Sequence, residues 1–316
     1  MLEAKPELIV VMTGATSGLG SFAVQTIAAR PGTRVIIGAR GTGRSAPRCV
    51  DILPLDLASL ASVREFAATV IEQLGDQRID ILVLNAGLHG SPADHRSADG
   101  YGLTFAVNHL AHYLLARLLM PVMADRGRMV ITSSNMHDPP FKRIAQKSID
   151  VKEWSDPTPG GSGAGIRSYT ASKLCNLMTA LSLARLEIVK HRKIHVVAFN
   201  PGLTGGVAGR DASLLQRIAV RALTRTIFPL LALFRPQFAM NRPEHSGKML
   251  ADVALGKIKP PLGRTYVSLV AGKPTFPDPS ELARDRASQD LLWRESAELV
   301  GLDPRTDDYD LLPAPA

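Results

Sequence analysis

Cysteine is scarce, since Cys49 and Cys175 are the only two in 316 residues. Two thiols cannot build a disulfide framework, and the composition suits a reduced compartment, so a cytoplasmic setting is expected. Long apolar runs are missing too. No stretch of about 18 uninterrupted apolar residues predicts a spanning helix, and no charged start leads into the apolar segment of a secretory leader. Internal repeats and an interdomain linker are also lacking, which predicts one domain over residues 1–316. The formal net charge of +8 would suit a polyanionic partner. The arginines are nevertheless spread along the chain, with no basic patch interleaved by aromatics, so no nucleic-acid partner is expected. His109 and His112 lie three apart without a matching acid or cysteine pattern, so no metal site is expected either.

What is present is a series of short apolar runs, each ending in glycine or a small polar residue. Leu8 to Met12 is continuously apolar, as a strand buried on both faces requires. It leads into residues 13–20, TGATSGLG, and then a helix-like segment over 21–30. Strand, glycine turn and helix form the layout of a dinucleotide phosphate site, because glycine lets the backbone approach a pyrophosphate and the helix start offers free amides. Gly14, Thr16, Ser17, Gly18, Leu19 and Gly20 are its candidate contacts. The second strand, 34–38, ends at Ala39 and Arg40, about where an acid would otherwise meet the ribose hydroxyls. A guanidinium there suits a 2′-phosphate and adenine stacking, so NADP(H) is the expected cofactor.

Strands are also expected at 50–55, 80–84, 128–132 and 193–199. They end respectively in Asp56 and Leu57, in Asn85, Ala86 and Gly87, in Ser133 and Ser134, and in Asn200, Pro201 and Gly202. Residues 59–74, capped by Ser59, and 103–123, containing Asn108, read as helices. Residues 265–269 read as the last edge strand and 280–300 as a charged helix before an acidic, proline-rich tail. The polar ends of successive strands thus gather on one edge, where open parallel sheets bind ligands. Further along, Tyr169 and Lys173 stand four apart in a segment with amphipathic helical spacing, so they share a face. An ammonium beside a phenol stabilises the phenolate and draws its pKa toward the working pH, which equips the phenol for proton transfer at a substrate oxygen.

With TGATSGLG, Asn85-Ala86-Gly87, Asn108, Ser134, the Tyr169/Lys173 pair and Asn200-Pro201-Gly202 in this order, the chain resembles the short-chain dehydrogenase/reductase family over roughly residues 8–270. The resemblance implies a Rossmann-type, doubly wound, mostly parallel sheet of seven strands with helices on both faces. It also implies roles: Tyr169 as acid/base, Ser134 holding the substrate oxygen with Ser133 as the fallback, and Asn108 supporting a water relay. Lys173 would grasp the nicotinamide ribose and depress the Tyr169 pKa. Within the family, SKLCNLMTA at 172–180, EHSGKMLADV at 244–253 and LLWRESAELVGL at 291–302 look like the branch of retinol dehydrogenases and light-dependent protochlorophyllide reductases. The photoenzyme carries a cysteine after its Pro-Gly where this chain has Leu203. Leucine cannot donate a proton, so light-driven reduction is not expected. Thr204 reads as either a cofactor contact or a loop cap, and pairing of two chains through the Tyr/Lys helix is a further family trait.

Two segments should choose the substrate. Residues 135–167, with Pro139-Pro140 and a glycine-rich run at 159–165, read as an irregular wall of the pocket. Residues 203–241 place Arg217, Arg221 and Arg225 along one helical face and add IFPLLALF at 227–234. That segment could cover an apolar substrate as a lid, rest on a membrane surface, or pack into a core or a second subunit. The expected activity is hydride transfer between NADP(H) and the carbonyl or alcohol of a fairly large apolar substrate. Reduction of a conjugated C=C bond and a non-catalytic NADP sensor are the alternatives.

Overall fold

The apolar runs lie side by side in one sheet, eight-stranded among the described residues. The structure, a computed structural model, describes residues 7–41, 49–89, 91–92, 95–139, 143–157, 164–205, 232 and 234–304. Its strands are β1 (Leu8–Thr13), β2 (Thr33–Ala39), β3 (Val50–Pro54), β4 (Ile79–Leu84), β5 (Met123–Thr132), β6 (His195–Asn200), β7 (Tyr266–Val270) and β8 (Lys273–Thr275). Its helices are α1 (Gly18–Ala28), α2 (Leu60–Leu74), α3 (Leu103–Phe105), α4 (Ala111–Leu119), α5 (Val151–Ser155), α6 (Ala164–Leu183), α7 (Glu187–His191), α8 (Pro243–Ala254), α9 (Glu281–Arg284) and α10 (Arg286–Leu299). The spatial strand order is β3-β2-β1-β4-β5-β6-β7-β8. β1 to β7 pair in parallel and β8 runs antiparallel to β7. The order reverses between β1 and β4, and the crevice at their carboxyl ends is where a doubly wound sheet takes its ligand.

β1 shows why the runs are continuous. Ile9 and Val11 enter the core beneath α2, α4, α6 and α10, while Val10 and Met12 enter the opposite core beneath α1 and α8. Alternate side chains of a strand point to opposite faces, so both faces of β1 must be apolar.

The sheet departs from the seven-stranded expectation at its end. β7 is not the edge, because Ala271 and Gly272, both at positive φ (49° and 76°), turn the chain back into β8. Two such residues make the tight reversal that strand twist favours. β8 is three residues with a proline, too short for alternation to reveal. β5 starts at Met123, ahead of the apolar run, with a register shift against β4 between Ile79 and Ile81. The helix expected over 103–123 divides into α3, a π-helical turn at Ala106–Leu110, α4 and a 3₁₀ turn at Met120–Val122. The one expected over 280–300 divides at Asp285, whose carboxylate caps α10 by accepting from Ser288 N.

Two further expectations change. α6 is buried on nearly every side from Thr170 to Leu183 rather than amphipathic. The wall segment 135–167 is partly helical, containing a 3₁₀ turn at Asn135–His137, α5 and the first turn of α6. Of the segment 203–241, residues 206–231 and 233, including Arg217, Arg221 and Arg225, lie outside the described residues. No helix among the described residues is long and apolar enough to cross a membrane.

α1 is fixed from behind by α8. A Cβ at Gly247 would collide with Leu19 O and lie 2.7 Å from Phe22 Cβ. Gly247→Ala is therefore expected to push α1 outward and lower stability by about 1–3 kcal/mol in urea unfolding.

Candidate active site

The turn after β1 uses its glycines in two ways. At Gly14 (φ 66°) a Cβ would lie 2.6 Å from Ala86 N, and at Gly20 it would collide with Gly14 O, so both positions serve close backbone approach. Gly18 (φ 57°) instead has no described atom within 4 Å of where its Cβ would stand. Ser17 caps α1 in extended backbone without a side-chain cap bond, and the first turn carries no acid. An open glycine backbone before amides that lack a side-chain cap fits a dinucleotide pyrophosphate.

Behind this turn the Thr13 hydroxyl accepts from the backbone N–H of Asn85 (3.0 Å) and of Ala86 (3.1 Å), and meets His112 Nε2 at 2.9 Å. His112 Nδ1 lies 3.0 Å from the Asn108 carbonyl. A carbonyl can only accept, so Nδ1 carries the proton and Nε2 accepts the Thr13 hydrogen. Burial lowers the His112 pKa to about 4, which keeps this ring neutral. The Asn85 side chain donates to Gly14 O (3.1 Å) and accepts from Thr132 Oγ1 (3.0 Å). The carboxyl ends of β1, β4 and β5 are thereby bonded to one another.

Asn108 occupies the π-helical turn. Its Oδ1 accepts from Leu88 N (2.7 Å), and its Nδ2 donates to Leu88 O and to Ser172 Oγ (2.9 Å each). Ser172 in turn donates to the Tyr169 carbonyl at 2.8 Å. One amide thus holds both the loop after β4 and the helical turn that carries Tyr169.

The two serines after β5 separate clearly. Ser133 is buried and donates to the Lys173 carbonyl (2.8 Å), holding the α6 backbone. Ser134 Oγ donates to Asn135 Oδ1 (3.2 Å) and accepts from Met136 N (3.2 Å), and its hydroxyl acts on the nearby Tyr169 phenol. Lys173 is 4% exposed and donates from Nζ to Thr132 O (3.2 Å), with its ammonium 5.7 Å from the Tyr169 ring centre. Burial lowers the Lys173 pKa to about 8. The Tyr169 phenol is pushed up by burial, with the Ser134 bond drawing it part of the way back. The spacing predicts that Lys173 depresses the phenol, but burial moves it the other way.

The remaining candidates spread along the same edge. Arg40 is exposed just past β2. Asp56 is exposed, and its Oδ1 accepts from Ala58 N (3.0 Å), while Leu57 is partly buried against the core. A Cβ at Gly87 would lie 3.2 Å from Asn108 Oδ1 and 3.4 Å from Lys173 Nζ, so this glycine borders the Lys173 ammonium. Gly202 takes φ 68°, with Asn241 Nδ2 2.7 Å from where its Cβ would be. Thr204 Oγ1 bonds Ser246 Oγ at 3.0 Å and donates toward Pro201 O and Gly202 O, which makes it a loop fastener in this geometry. The sequence alone assigned no role to His112 or His89 at this site. The signal for His112 was its place one helical turn after Asn108; His89, stacked on Tyr169 at 5.4 Å between ring centres, gave none beyond following Asn85-Ala86-Gly87.

Comparison with known proteins agrees with this geometry. The short chain dehydrogenase family model matches residues 8–146. Protochlorophyllide reductase B, chloroplastic, of Oryza sativa subsp. japonica is 30% identical over 328 residues, spanning 92% of this chain and 77% of that protein. The chain belongs to the short-chain dehydrogenase/reductase family. Retinol dehydrogenase 13 of Homo sapiens is 28% identical, over 94% of this chain and 86% of its own. Among solved structures, an uncharacterized protein from Mycobacterium paratuberculosis superimposes with TM-score 0.68 at 25% identity, over 96% and 97% of the two chains. The chain is an oxidoreductase of this family, in the branch of the retinol dehydrogenases and protochlorophyllide reductases.

The buried bonds at Thr13 give a test. Thr13→Val would leave the Asn85 and Ala86 N–H groups without their acceptor, at an expected cost of about 1–3 kcal/mol in urea unfolding. Thr13→Ser, which keeps the hydroxyl, is expected to recover most of that loss.

Proposed function

We propose that this chain is an NADP(H)-dependent oxidoreductase acting on the carbonyl or alcohol of a fairly large apolar substrate, with Tyr169 as general acid/base. The observation that carries the reading is the Tyr169 phenol, close to the Ser134 hydroxyl and flanked by the buried Lys173 ammonium, on the sheet edge that also holds the open glycine turn. The nicotinamide, when bound, supplies or accepts the hydride. Gly14, Thr16, Ser17, Gly18, Leu19 and Gly20 would hold the pyrophosphate, and Arg40 the 2′-phosphate and adenine. Asp56, Leu57, Asn85, Ala86 and Gly87 would border the adenosine half, with Lys173, Pro201, Gly202 and Thr204 at the nicotinamide end.

Ser134 hydrogen-bonds the substrate oxygen, and Tyr169 gives that oxygen its proton as negative charge develops there. Burial raises the phenol's pKa, so near neutral pH it is protonated and able to donate in reduction; the reverse oxidation uses the same groups. Asn108 acts by position. Its amide is engaged with Leu88 and Ser172 and its carbonyl with His112, so any water relay would need more than these groups. Exposed apolar side chains at Ile166, one turn before Tyr169, and at Met240, beside the Asn241 that pairs with Thr204, support an apolar substrate.

A second reading, reduction of a conjugated C=C bond, is favoured by the likeness to protochlorophyllide reductase B. Intact Ser134, Tyr169 and Lys173 weigh against a non-catalytic sensor. The deciding experiment is NADPH oxidation in the dark against lipophilic aldehydes, ketones and enones, with products identified by bond order. Tyr169→Phe is expected to lower turnover by about 10²–10⁴-fold while NADPH affinity stays within a few fold; wild-type turnover by this variant would refute the assigned chemistry. Arg40→Ala should weaken NADPH far more than NADH in a fluorescence titration, and equal losses would remove the 2′-phosphate assignment.

A further inference from the structure

His89 belongs to the loop after β4, directly beyond the residue that Asn108 grips. Both polar groups of Leu88, N–H and C=O, are bonded to the Asn108 amide at 2.7 and 2.9 Å. A backbone held at two points has little freedom to swing, so the next side chain is delivered to a defined place. That place is the Tyr169 ring: the two rings lie 5.4 Å apart between centres and 21° from parallel. His89 keeps solvent-exposed surface on its outer side while its ring packs against the protein, and Tyr169 is half-buried, which makes the imidazole the outer ring of the pair.

We propose that His89 is a positioning residue for the acid/base: fixed by the Asn108 grip, its ring covers the Tyr169 phenol, keeps water from it, and so sets the pH at which the phenol loses its proton. The inference rests on the reading of Tyr169 as the proton donor. An imidazole seated on the protein mass beside Lys173 stays uncharged, its pKa lowered to about 4 by burial and then by the Lys173 charge. It therefore acts by excluding solvent and adds no cation of its own near neutral pH. Among the described residues, the other groups around the phenol are accounted for. Lys173 lies on the same helix, and Ser134 approaches from the end of β5. Behind Ser134 stands His137, whose Nδ1 meets Ser134 O at 2.7 Å and whose neighbour is Asp138. None of these covers the outer face of the ring as His89 does.

The sign follows from desolvation. An anion gains more from water than a neutral phenol does, so uncovering the ring lowers its pKa. Better solvation of Lys173 would strengthen its positive charge and push in the same direction. The test reads the phenol itself, by ultraviolet phenolate titration of the full chain with the Tyr169→Phe titration subtracted. His89→Ala is expected to lower the Tyr169 midpoint by about one pH unit. His89→Phe, which keeps a ring without nitrogens, is expected to retain the wild-type midpoint. The alkaline limb of kcat/KM for carbonyl reduction should move with the midpoint in each variant. An unchanged midpoint in His89→Ala, or an equal shift in His89→Phe, would overturn the inference. The titration needs no substrate, so a protein that reduces no carbonyl yet shows the shift would fail the reading of the reaction and not the role of His89.

Discussion

The Thr13 hydroxyl stands where β1 ends and the chain must turn under a ligand. Its oxygen accepts two backbone N–H groups from the β4 loop and its proton goes to His112, so every polar group there is matched in a place that water barely reaches. Because buried polar groups left unmatched are costly, this small network fixes the height of the β4 loop against the glycine turn. Asn85 continues it to β5 through Thr132, and Thr132 O receives both Lys173 Nζ and Asn176 Nδ2. The position of the Lys173 ammonium therefore depends on bonds that begin at the end of β1.

The parts of this arrangement that were legible in the sequence are those with a local physical cause. Continuous apolar runs marked β1 and the strands flanking it because both faces of a central strand are covered. The glycines of 14–20 marked the turn because two of them cannot carry a Cβ and a third sits at positive φ. Ser59 was readable as a cap, and its hydroxyl does accept from Ser62 N. What was not legible is non-local. No periodicity could announce that a helix from 103 would pass through a π turn at Asn108, since that turn answers to partners at Leu88 and Ser172. β8 is too short to alternate, and α6 looked amphipathic because its small and polar residues, such as Thr170, Ser172 and Asn176, are buried by partners distant in sequence.

The electrostatics of the pair at 169 and 173 illustrate the same limit. Spacing alone says that an ammonium lies near a phenol and should acidify it. Packing adds the opposing effect, since desolvation acts on both: it pushes Tyr169 up and pulls Lys173 down to about 8. Which effect wins depends on how deeply the pair is set, a property of α6 against the strand ends and of the His89 ring above it. The result is a phenol held protonated beside a partly destabilised ammonium.

The depth of α6 has its own cause in the C-terminal helices. α10 is tied to α4, to the π-helical turn before it and to the loop ahead of α3: Tyr113 Oη donates to Trp293 O (3.0 Å), His109 Nε2 meets Ser296 Oγ at 2.8 Å, and Tyr101 Oη donates to Leu299 O (2.9 Å). Arg185, just beyond α6, pairs with Asp290 (3.0 Å) and with Gln289. Burial lowers His109 to about 3, so its bond to Ser296 is made by a neutral ring and does not loosen with pH in the physiological range. These bonds close over the side of α6 that the strands leave open, which is why its residues from Thr170 onward are buried within one chain. Within a single chain, the same helices remove the solvent-facing side that an amphipathic helix at this position would have.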